Sequence, residues 1–79
     1  MGADAQAAIP ALIEALTDPH AFVRRAAAYA LGEIGRVAKD AVIPALTKAL
    51  DDPEPYVRET ASAALRRIHS AGALETSRN

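Results

Sequence analysis

The sequence predicts an all-α fold made of two copies of one helical hairpin, four antiparallel helices in all. Three observations lead there. Residues 7–35 laid on residues 41–69 without a gap share 15 identities in 29 positions. Similarity at a fixed period marks a repeat architecture, in which each unit buries its apolar face against the next. Within each copy the branched apolar residues recur at helical spacing, and no segment alternates with period two. An Asp-Pro pair, Asp18-Pro19 and then Asp52-Pro53, divides each copy into halves.

The elements follow in order. Helix one is predicted over about 5–16, because Ile9, Leu12, Ile13 and Leu16 stand at i, i+3, i+4 and i+7 on one stripe. Pro19 disfavours helical geometry at Asp18, so the first helix ends just before it. Helix two spans about 21–35, with Val23, Ala27, Ala30, Leu31 and Ile34 on its apolar stripe. Gly35 is the expected C-terminal stop, whereas Gly32 is expected to let two helices approach closely. Asp40 is a candidate N-cap for helix three, over about 40–50. Helix four, about 55–69, repeats the second stripe as Val57, Ala61, Ala64, Leu65 and Ile68, and Pro55 suits its first turn. Pro10 and Pro44 lie about one turn into their helices, the least damaging interior position. One domain of residues 1–79 is expected: repeat one at about 5–36, repeat two at about 39–70 and a flexible tail at 71–79.

Composition bounds the function. There are 20 Ala among the 40 residues that make up the 51% hydrophobic fraction, but only 7 Leu, 5 Ile and 4 Val. Ala26, Ala27, Ala28, Ala61, Ala63 and Ala64 therefore read as spacers that bring helix axes together. Without cysteine there is no disulfide, zinc–thiolate site or thiol nucleophile. A net charge of −1, with 10 acidic against 9 basic residues and three aromatics, argues against nucleic acid despite Arg24-Arg25 and Arg66-Arg67. No apolar run is long enough to span a bilayer and no signal peptide is evident, so a cytoplasmic protein is expected.

Ala-Ile-Pro-Ala-Leu-Ile-Glu-Ala-Leu-x-Asp-Pro, followed by Val-Arg-x-x-Ala-x-x-Ala-Leu-Gly-x-Ile-Gly, resembles the HEAT-like repeats, in particular those of the phycobilisome-lyase type. The second copy fits the same pattern, with Arg66 and His69 in place of the two glycines. The resemblance implies an α-solenoid fragment of two hairpins in right-handed superhelical stacking, with the second helices lining a concave, variable binding surface. It also implies a structural ladder of Asp18, Arg24, Asp52 and Arg58, with Asp18 expected to meet Arg58 across the repeat boundary.

The function expected is a non-catalytic protein-interaction or scaffold module; an auxiliary subunit of a bilin lyase is the alternative that the resemblance permits. Phe22, Ala26, Tyr29 and Glu33 on helix two, and Tyr56, Thr60, Ala63 and Arg67 on helix four, form one stripe about 110° from the core stripe at ~100° per residue. Arg25 and Glu59 flank it. All three aromatics fall on this stripe, the two copies diverge there, and Tyr and Arg are frequent interface anchors. Phe22, Arg25, Tyr29, Glu33, Tyr56, Glu59, Ala63 and Arg67 are the eight residues of the candidate partner-binding set. His20 and His69 are the only histidines and have scattered carboxylates nearby, so no metal site is expected. No nucleophile elbow or phosphate loop occurs, so neither catalysis nor a cofactor is expected. Solenoids generally contain three or more units. Two units, with an alanine-rich first helix, lead us to expect a homo-oligomer, a dimer through the N-terminal helix pair.

Overall fold

A computed structural model describes the backbone of residues 2–77 and the side chains of residues 6–70. The chain is all-α over that span: α1 (Gly2–Ala15), α2 (Ala21–Ile34), a 3-10 turn (Gly35–Ala38), α3 (Lys39–Ala49) and α4 (Pro55–Ser77). Among the described residues there is no strand and no helix long and apolar enough to cross a membrane.

The two Asp-Pro turns lie where the sequence places them, and the two hairpins pack side by side. Second helices carry the stack: α2 against α4 is the most extensive contact, while α1 and α3 scarcely touch. Small side chains explain this. Ala27, Ala28, Ala61 and Ala64 are all buried, and so is Gly32. A Cβ built on Gly32 would lie 2.8 Å from Ala64 Cβ and 2.9 Å from its Cα, nearer than the ~3.5–4.0 Å of ordinary carbon contact. The closeness of α2 to α4 therefore requires glycine at position 32. Leu31, Leu46, Ile68, Val42 and Val57 fill the core around this contact, and each contributes about 1.5–3 kcal/mol by leaving water. Ala26 is an exception to the spacer reading, since it is exposed.

Several boundaries differ from expectation. α1 begins at Gly2 because no breaker interrupts its alanine-rich start, which leaves Pro10 well inside the helix on an exposed face. Gly35 does not stop α2 through a left-handed conformation: its φ is −68° and the chain continues into the 3-10 turn. Packing explains this glycine instead, since a Cβ there would meet Val42 Cγ1 at 2.7 Å and Ile68 Cδ1 at 2.9 Å. Asp40 is not the N-cap of α3. That position belongs to Ala38, and Asp40 sits in the first turn, where a carboxylate favours the helix dipole. α4 extends to Ser77, past the expected end near residue 69, in a stretch with no proline. The side chains of the tail expected at 71–79 lie outside the described residues.

Candidate functional site

Each Asp-Pro turn is built in the same way. Asp18 Oδ1 accepts the His20 backbone N–H at 2.8 Å, and Asp52 Oδ1 accepts that of Glu54 at 3.0 Å. Each repeated arginine then donates Nη1 to the carbonyl of its own turn, Arg24 to Asp18 at 2.8 Å and Arg58 to Asp52 at 2.7 Å. The rest of the Arg24 guanidinium crosses to the other repeat. Nε donates to Asp52 Oδ2 at 2.7 Å and Nη2 to Asp52 Oδ1 at 3.1 Å, a bidentate charge-assisted pair. This bond holds the Asp52 carboxyl below its usual pKa against the opposing effect of burial, and it raises that of Arg24.

The expected Asp18–Arg58 pairing is therefore corrected: the inter-repeat bond runs from Arg24 to Asp52. Direction decides it. Arg24 of the first copy reaches forward to Asp52 of the second, whereas Arg58 bonds the carbonyl of its own turn and does not reach back to Asp18. Its Oδ1 instead takes the His20 ring Nδ1 at 3.1 Å as well as the backbone N–H, and these two bonds lower the Asp18 pKa. His20 occupies the N-cap position of α2 without capping it through its side chain. Its ring also lies 5.7 Å from that of Phe22, tilted by 57°.

Away from the turns, the second-helix stripe becomes a single surface. Arg67 of α4 reaches across to α2. Its guanidinium carbon is 5.7 Å from the Tyr29 ring centroid, and Nη2 is 3.2 Å from Glu33 Oε2. Between the helices lies a shallow groove of about 220 Å³ lined by Tyr29, Glu59, Thr60, Ala63, Ala64 and Arg67. Ala63, the counterpart of Tyr29 in the second copy, lines it with only a methyl group. Five of the eight candidate residues, Tyr29, Glu33, Glu59, Ala63 and Arg67, thus come together.

Phe22 and Tyr56 stand toward the turn end of the same helices and remain 64% and 43% exposed. Arg25 is exposed beside them. Thr60 and Ala64 line the groove without having been singled out as contact residues. Thr60 lies on the stripe, but Ala64 sits on the core stripe and reaches the groove only because the helices are so close.

Among the described residues no three His or carboxylate side chains gather into a metal-sized group. The chain matches no curated protein and no solved structure. A family model described as HEAT repeats matches residues 2–66, most of the chain. With the paired hairpins and the arginine–aspartate bond between them, this match establishes that the chain belongs to the HEAT repeat family.

Proposed function

We propose that this chain is a non-catalytic protein-binding module that receives a segment of a partner protein along the α2–α4 face. HEAT repeats are in general protein-interaction and scaffold modules. The observation that carries the reading is the exposure of the large aromatics. Tyr29 is 54% exposed, Phe22 and Tyr56 are comparably open, and all three lie on the same face as the groove. Rigid aromatic rings beside a desolvated arginine are the usual energetic anchors of protein interfaces. Here Arg67 is already oriented by Tyr29 and Glu33, so little side-chain freedom remains to be lost on binding. Glu33 and Glu59 stand with Arg67 and the flanking Arg25, so the rim carries both charges, which suits a partner segment with mixed polar groups around an apolar residue.

Affinity capture from a native lysate, run with wild type, Tyr29→Ala and Lys48→Ala, tests the proposal. Lys48 lies in a separate recess between the first helices. A partner retained by wild type and Lys48→Ala but lost with Tyr29→Ala is the expected outcome. Identical capture by all three chains would refute the assignment of this face.

A further inference from the structure

Translating repeat one onto repeat two exposes a conflict at the far face of the second repeat. The offset is 34 residues (43 − 9), so Ile43, Ser62, Leu65, Arg66 and His69 occupy the places of Ile9, Ala28, Leu31, Gly32 and Gly35. All five residues in repeat one are buried by repeat two. In repeat two, Ile43, Arg66 and His69 are exposed and Leu65 and Ser62 half-buried, and Ile43, Leu65, Arg66, His69 and Ser70 line an open recess of about 530 Å³. Apolar surface for a following unit is therefore present. At the opposite end, Leu12, Val23, Ala30 and Ile34 are half-buried where their counterparts Leu46, Val57, Ala64 and Ile68 are buried. The ion pair is also left half-made at both ends. Arg58 Nε and Nη2 have no acceptor among the described residues, and Asp18 Oδ2 has no donor there.

By pattern alone, then, one copy should stack head to tail on another, with Arg58 meeting Asp18. The two glycine positions forbid it. At Gly32 even one added carbon would come within 2.8 Å of Ala64 Cβ and 2.9 Å of its Cα, atoms with no rotamer to turn aside. The matching contact in a stacked copy sets Arg66 against Ala30. Arg66 also lies over the contact surface, with Nη1 3.0 Å from Ser62 Oγ. At the other position a Cβ on Gly35 would meet Val42 Cγ1 and Ile68 Cδ1. The counterparts in a second copy are Ala8 and Ile34, so His69 faces a less crowded site and is the weaker obstacle.

The geometry points to Arg66, supported by His69, as a steric end-stop: it bars a second copy of this chain from seating on the Ile43–Leu65 face at the spacing the two repeats use. A heterologous contact of this kind would not close and would grow into fibres. The stop thus leaves the apolar end face available without open-ended assembly.

The test turns on one methyl group. The variants R66G/H69G and R66A/H69G differ only by the Cβ at position 66, and sedimentation equilibrium compares them with wild type over a concentration series. R66G/H69G should show a weight-average mass that rises with concentration and exceeds that of R66A/H69G about two-fold or more at high micromolar levels, since the contact adds copies without closing. Adding Asp18→Asn, which keeps the Oδ1 bond to His20 but removes the charge facing Arg58, should reverse most of that rise. Both positions are exposed, and repeat one carries glycine at the same sites, so the fold is expected to persist; far-UV circular dichroism checks it. If the double-glycine chain unfolds, R66G/H69A against R66A/H69A carries the same comparison, because a Cβ at position 69 meets Ala8 in place of the nearest Val42 methyl and, beside it, only the flexible end of Ile34. Equal masses for the glycine and alanine chains at position 66 would overturn the end-stop. Growth that survives Asp18→Asn unchanged would overturn the head-to-tail register.

Discussion

Gly32→Ala isolates the feature on which the stack depends. In most exposed helix interiors this change stabilises by about 1 kcal/mol, because alanine restricts the unfolded chain and favours the helix. Here the new Cβ would sit 2.8 Å from Ala64 Cβ and 2.9 Å from Ala64 Cα. Neither atom can rotate away, so α2 and α4 must separate. That separation loosens the buried neighbours Leu31, Ala28 and Ala61. Overpacking of a tight core costs about 1–3 kcal/mol. Set against the propensity gain, the net change is a destabilisation of up to about 2 kcal/mol, which at its upper end lowers the melting temperature by roughly 8–16 °C for a domain of this size. Thermal and urea unfolding followed by far-UV circular dichroism measures it. Adding Ala64→Gly should restore part of the loss by moving the missing methyl to the facing helix, a coupling of at least about 0.5 kcal/mol. A Gly32→Ala chain that melts at or above wild type would show that the helices are not in close contact, and the packing argument would fail.

Three further outcomes follow from the same structure. Leu31→Ala should destabilise by about 2–5 kcal/mol, and Leu65→Ala by clearly less, because identical residues in identical register are fully buried in one repeat and half-buried in the other; equal losses in urea unfolding would contradict the asymmetry of the two faces. The Asp52 carboxyl has its pKa lowered in the folded state by Arg24. Its contribution is therefore complete above the unfolded value of about 4 and is lost as pH falls through the lower folded value. Melting temperature should drop below about pH 4, and Asp52→Asn should be less stable at neutral pH with a shallower acid drop; parallel profiles would remove Asp52 from that role. Tyr29→Ala should cost no more than about 1 kcal/mol, the worth of an exposed cation–π contact with Arg67, so loss of partner capture in a variant that still melts cooperatively near wild type reflects contact and not unfolding.

The candidate site was legible in proportion to how far it depends on helical spacing. Tyr29 and Glu33 share a face because they are four residues apart, and Ala63 and Arg67 share one for the same reason. Spacing could not show that Arg67 would lie against both Tyr29 and Glu33, since that depends on the distance between α2 and α4. It could not predict Ala64 in the groove either, for the same reason.

What the sequence determined alone is the repeat, the four helices, the two Asp-Pro turns and the faces that α1, α2 and α4 bury, all set by local rules of period and backbone restriction; α3 buries Val42, Leu46 and Ala49 and leaves Ile43 and Leu50, the counterparts of Ile9 and Leu16, exposed. Tertiary structure decided the direction of the ion pair, because Arg24 and Arg58 are the same residue in the same motif and differ only in having a following repeat to reach. It also decided the meaning of the glycines. In the sequence Gly35 reads as a stop, whereas in the fold Gly32 and Gly35 keep negative or unremarkable backbone geometry and are needed because a neighbouring helix occupies the space of a Cβ. At Gly32 the space belongs to Ala64, and at Gly35 to Val42 and Ile68; these contacts join different helices, and no helical period contains them.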